Sequence, residues 1–150
     1  MKYDNGIIRW SKIATVLFIA VTAVADIFGV VIARYICYIW AEKFDTLSVV
    51  LLSAALYLDT VGAYVVLISL FKLLTNMSSD VVFDRANTKL MKIIMGALTA
   101  IGVVCGAAGF VWFGSFFLLF AMLFVALIVA SVEVVFAKAI SMKEEMDLTI

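Results

Sequence analysis

The 150-residue chain has no histidine, no proline, only two cysteines, and 15% charged residues. Without histidine it lacks the commonest metal ligand and the usual general base at neutral pH. Without proline, none of its helices can carry a proline kink. Cys37 and Cys105 are too few for a disulfide framework. Basic and acidic residues balance at eleven each, so no net charge draws the chain towards nucleic acid or anionic lipid. What is abundant is apolar. Hydrophobic residues make up 67% of the chain, against ~45–50% in an ordinary soluble domain. A soluble fold of this size buries only about 70% of the surface its unfolded chain exposes. The mean hydropathy of +1.22 therefore excludes a soluble enzyme, a disordered tail and a nucleic-acid-binding domain, and it reads as an integral membrane protein.

A helix needs about 20 apolar residues to cross ~30 Å of hydrocarbon. Four stretches qualify, at 13–33, 47–70, 91–110 and 115–136. The last two are separated only by Val111, Trp112, Phe113 and Gly114, which requires a tight helical hairpin. With no repeat, low-complexity stretch or separate polar domain, the expected fold is all-α. It is a single polytopic membrane domain over 1–150, with four transmembrane helices and a polar tail at 137–150.

Orientation follows from the excess of Lys and Arg on cytoplasmic loops. Lys2, Arg9 and Lys12 precede the first span, and Lys72, Arg85, Lys89 and Lys92 surround the second loop. Lys138 and Lys143 follow the last span. The first loop holds only Arg34 and Lys43, and the hairpin holds no basic residue. Both termini are thus expected on the cytoplasmic side. Tyr35, Tyr38, Trp40, Phe44, Trp112 and Phe113 fit an aromatic belt at the outer interface. The basic start, the run Ile13 to Thr22 and Ala23-Val24-Ala25 also fit a cleaved signal peptide. The apolar run continuing to Ala33 favours a retained span.

Charged groups at membrane depth need a reason, since an Asp at the helix centre is unfavourable by ~2.5–3.5 kcal/mol on the translocon scale. Asp26 lies in the outer half of the first span and Asp59 near the middle of the second. Asp26 shares its helical face with Thr22, Ala23, Gly29 and Ala33, and Asp59 with Ala55, Gly62, Ala63 and Val66. Small neighbours let helices approach, so both acids are expected to point into the bundle. Two readings stay open: a cation, proton or ligand-amine site between helices one and two, or acids that are protonated or paired with Arg34 or a hydroxyl and only fix packing. Gly102, Gly106 and Gly109 form a GxxxG pattern that allows close helix packing, with Cys105 as a small packing residue. Glu133, on a face with Ala126, Ala130 and Ala137, reads as snorkelling to the headgroups, with Lys72 or Lys92 as its alternative partner. No nucleophile–base pair, phosphate-binding glycine loop or metal cluster is visible, so neither an enzyme nor a metal or other cofactor is expected.

The loop and tail carry the most specific patterns: Phe71-Lys72-Leu73-Leu74, the run Val82-Phe83-Asp84-Arg85-Ala86-Asn87-Thr88-Lys89-Leu90-Met91-Lys92-Ile93, and the terminal Lys143-Glu144-Glu145-Met146-Asp147-Leu148-Thr149-Ile150. In these the chain resembles a family of small four-helix bacterial membrane proteins of unknown function. Its members share the loop phenylalanine, the polar stretch into helix three and a Glu-Glu-x-Asp-Leu-Thr-Ile tail. The resemblance implies a gene neighbour encoding a small helix-turn-helix regulator of the Cro/CI type, and hence a regulatory membrane partner for a cytosolic transcription factor. It covers neither Asp26 nor Asp59, and the composition leaves no direct contact with nucleic acid expected. The candidate docking surface is Phe83, Arg85, Asn87, Lys89, Glu144, Glu145 and Asp147. A small transporter or channel subunit using the two aspartates, or an immunity or stress protein meeting an external peptide at the aromatic loop, are the alternatives. Ala137, Ile140, Ser141 and Glu144 fall near one helical face, so helix four is expected to leave the membrane intact and bring its tail beside the loop.

Overall fold

The computed structural model describes residues 5–42, 45–79 and 81–149, apart from the side chains of Asn5 and Asp147. Lys2, Lys43, Phe44 and Ile150, which enter the charge, aromatic and tail patterns above, lie outside the described residues. Four helices follow in order: α1 (Asn5–Tyr35), α2 (Thr46–Ser78), α3 (Arg85–Ala108) and α4 (Gly114–Leu148). The described residues are otherwise turns and one π-helical turn, Ile36–Trp40, that closes α1. Glu42 just beyond it takes a left-handed backbone (φ 51°) as the chain reverses towards α2.

Each helix is long and apolar enough to cross a membrane. At 1.5 Å per residue, 35-residue α4 is about 50 Å long, well beyond the hydrocarbon thickness. It therefore continues past its apolar run through the polar tail, as the periodicity of Ala137 and Ile140 predicts. The start of α3 differs from the apolar boundary: it begins six residues before Met91. Asp84 explains this, because its carboxylate accepts the Ala86 N–H at 2.6 Å and caps the first turn. Asp45 does the same for α2, accepting both the Ser48 N–H and its hydroxyl at 2.9 Å.

Packing is sequential: α1 on α2, α2 on α3, and α3 on α4. Helix α3 is the most enclosed, with 33% of its apolar stretch buried against 6% for α4. Its Ile94 and Leu98 pack with Ala126 of α4 and with Val66 and Leu70 of α2. At the opposite end Ala33, Cys37, Leu52 and Ala108 form a second cluster. Large apolar side chains cover the outward faces, with Ile27, Phe110 and Phe117 among the most exposed. That is the surface of a chain solvated by lipid. Hydroxyls within the spans turn back on their own helices: Thr22, Ser53, Thr99 and Ser131 each donate to the carbonyl four residues earlier. This satisfies them without a partner helix. A carboxylate has no such internal solution.

Candidate functional site

Asp26 meets α2. Its Oδ2 accepts the Tyr64 hydroxyl at 2.8 Å, and its backbone carbonyl accepts the Tyr57 hydroxyl at 3.2 Å. Tyr57 and Tyr64 stand seven residues apart, two helical turns, and so share a face of α2. The Tyr57 ring lies over Gly29, where a Cβ would come within 3.0 Å of it. The helices thus close over a glycine and are pinned by two phenols. Sequence reasoning missed both tyrosines, although two hydroxyl-bearing aromatics on one face of an apolar helix are a readable signal. Asp26 Oδ1 is buried without a hydrogen-bond partner among the described residues.

Asp59 meets a different neighbour. Its Oδ2 accepts from Cys105 Sγ of α3 at 3.3 Å, and its Oδ1 is likewise buried without a partner among the described residues. Beside it Gly62 lets Ile101 of α3 approach so closely that a Cβ would sit 2.5 Å from the Ile101 side chain. This corrects the expectation of one site between helices one and two: Asp26 belongs to the α1–α2 seam and Asp59 to the α2–α3 seam. The reason is angular, because Asp59 and the tyrosines occupy different faces of α2. Arg34 is exposed and forms no ion pair among the described residues, so the partner of Asp26 is a phenol and not that guanidinium. Cys105 is more than filler, being the thiol donor to Asp59.

At the other end of the molecule the α2–α3 loop and the end of α4 come together. Arg85 holds Glu144 in a two-pronged contact, Nε to Oε1 at 2.9 Å and Nη2 to Oε2 at 2.7 Å. Hydrogen bonding from the guanidinium, reinforced by its charge, holds the Glu144 carboxyl below the usual range. The Phe83 ring packs on Phe136 with centroids 5.9 Å apart. Lys89 and Glu145 are exposed, whereas the Asp147 side chain lies outside the described residues.

Asn87 does not belong to that surface. It is 0% exposed. Its amide donates to the Val81 and Val82 carbonyls at 2.8 Å, and its Oδ1 accepts from Asn76 of α2 at 2.8 Å. It locks the loop from within, because the backbone carbonyls at the turn need a donor. Glu133 is also not left to the headgroups: Lys92 Nζ lies 3.6 Å from its Oε1, and only 14% of the Glu133 side chain is exposed.

The glycines of α3 divide. Gly102 and Gly106 face Leu119 and Leu123 of α4, but a Cβ there would make ordinary contacts at 3.4–3.6 Å. The GxxxG pair thus lies against α4 with room for a methyl group at each position. Gly109 has no such room, since a Cβ would stand 2.7 Å from the Phe116 ring.

Four apolar helices with lipid-type outward faces define a helical multi-pass membrane protein. Within that class, residues 8–150 match the model of the family described as protein of unknown function (DUF2975), and the chain belongs to that family. No curated protein and no solved structure matches it.

Proposed function

We propose that this is a regulatory, non-enzymatic protein of the bacterial plasma membrane. In this reading both termini are cytoplasmic, and the protein holds a small helix-turn-helix regulator of the Cro/CI type on the surface made by its α2–α3 loop and α4 tail. No cofactor and no direct contact with nucleic acid enter this reading. The observation that carries it is the Arg85–Glu144 clasp, which joins residues 59 positions apart in sequence. The loop and tail are the two segments with the most specific patterns, and the clasp makes them one surface. With Asn87 internal, the docking residues reduce to Phe83, Arg85, Lys89, Glu144 and Glu145, with Asp147 following on the same tail. The nine basic residues that the sequence carries in its N-terminal segment, second loop and tail support its cytoplasmic placement.

Co-purification of the helix-turn-helix protein encoded beside the gene tests the reading, comparing the full chain with one ending at Lys138. The variant Arg85→Glu is run in parallel, so that a folding failure of the shortened chain is not mistaken for lost docking. Capture by the full chain and loss with both variants is expected. Equal capture by all three, or none by the full chain, overturns it.

A second reading rests on the buried Oδ1 atoms of Asp26 and Asp59, which have no hydrogen-bond partner among the described residues: a small transporter or channel subunit in which each acid serves its own seam. Solute flux lost on both Asp26→Asn and Asp59→Asn, with the regulator still captured, would favour it.

A further inference from the structure

The four basic residues around the α2–α3 loop fall into two pairs. Arg85 is engaged by Glu144 and Lys92 by Glu133. Lys72 and Lys89 are exposed and form no ion pair among the described residues. These two cations, one from each helix, line the same groove of about 560 Å³ between the end of α2 and the start of α3. That volume is in the range of ligand sites. Lys72 stands two residues beyond the apolar run ending at Leu70, and Lys89 two residues before the run beginning at Met91. Both are therefore at headgroup level. The rest of the groove changes character with depth, since Phe71, Leu90 and Ile93 line it on the apolar side.

We propose that this groove binds an anionic phospholipid, with Lys72 and Lys89 holding the headgroup phosphate and Phe71, Leu90 and Ile93 receiving an acyl chain. Charge complementarity selects the occupant. Two ammonium groups sharing one interfacial groove, with no ion-pair partner among the described residues, attract a phosphate, and lipid phosphate is the anion that arrives with apolar chains at this depth. A lysine that only snorkels needs no counterpart on the neighbouring helix. The chain's zero net charge does not oppose this, because the attraction is local to the groove.

The test uses the full-length protein in nanodiscs containing equal amounts of phosphatidylglycerol and phosphatidylcholine, with native mass spectrometry of the lipids that remain bound on release. The wild type should retain phosphatidylglycerol several-fold over phosphatidylcholine. Lys72→Gln with Lys89→Gln should bring that ratio close to one, and Lys72→Arg with Lys89→Arg should keep it. Lys138→Gln with Lys143→Gln, outside the groove, should leave it unchanged. Excess inorganic phosphate should not displace the lipid. Equal retention of the two lipids by the wild type overturns the proposal, as does an equal loss in the Lys138/Lys143 control, which would mean a diffuse basic surface. Displacement by free phosphate would also overturn it, since the chains would then contribute nothing.

Discussion

Two carboxylates reach across the fold at nearly the same distance: Asp26 takes the Tyr64 hydroxyl at 2.8 Å, and Glu144 takes the Arg85 guanidinium at 2.7 Å. By geometry alone the second contact is the stronger, being two-pronged and fully ionic. Environment reverses the ranking. The Arg85 and Glu144 side chains are 78% and 47% exposed, so water competes for both partners and salt screens them. Asp26 lies in an apolar span where hydrocarbon offers no competing donor. The seam contact therefore fixes how α1 sits on α2, while the clasp is reversible and can be exchanged for a partner's groups. Between these extremes stands Asn87, two residues from Arg85 and wholly enclosed.

The largest effect should come from that enclosed position. Asn87→Ala removes the donor to the Val81 and Val82 carbonyls and the acceptor for Asn76. Leaving such groups unsatisfied costs roughly 1–3 kcal/mol. Detergent-solubilised protein should show a lower thermal midpoint and faster proteolysis at the loop. A midpoint unchanged from the wild type would mean that Asn87 is no lock and that the end is open to water.

Asn87 also shows where sequence reading stops. Apolar runs gave the four spans because length and hydropathy alone decide whether a helix can cross lipid. The reach of α4 was legible too, since Ala137 and Ile140 continue the helical period. Asn87 reads as a surface residue because it sits in a polar stretch, and hydropathy records polarity without recording which backbone carbonyls need a donor. The spacing sets Asp26 and Asp59 beside small residues of their own helices. A face within one helix does not say which neighbour will cover it, so the spacing suggests one shared site where the structure has two separate contacts. The early start of α3 was hidden for a related reason. Arg85 to Leu90 form a polar first turn and a half, which resembles a loop until Asp84 is recognised as its cap.

The seam contact gives the intermediate effect. Tyr64→Phe keeps the ring and deletes only the hydroxyl that Asp26 accepts. It should lower the thermal midpoint by less than Asn87→Ala and by more than any change at the clasp. A cycle with Asp26→Asn isolates the pair, because the two single losses should exceed the loss in the double variant if they report one contact. Additive losses would show that Tyr64 and Asp26 act separately, and the contrast between seam and clasp would then lose its basis.

The smallest effect belongs to the clasp, and pH is the means of seeing it. Its carboxyl titrates lower in the folded protein than the ordinary glutamate value of 4.5, because the guanidinium hydrogen-bonds the charged form. A group with a depressed folded-state value contributes fully above its unfolded value and loses that contribution as pH falls through the folded one. The clasp should thus be closed at neutral pH and open only below about the ordinary carboxylate range. Spin labels at Thr88 and Met142 should report a single short separation at neutral pH and a broadened one in acid. Glu144→Gln should give the broadened distribution at neutral pH, with a thermal midpoint close to that of the wild type. If the variant instead lowers the midpoint as much as Tyr64→Phe does, the exposed contact is structural after all. The loop and tail would then be a permanent seal on the bundle and not a surface free to exchange partners.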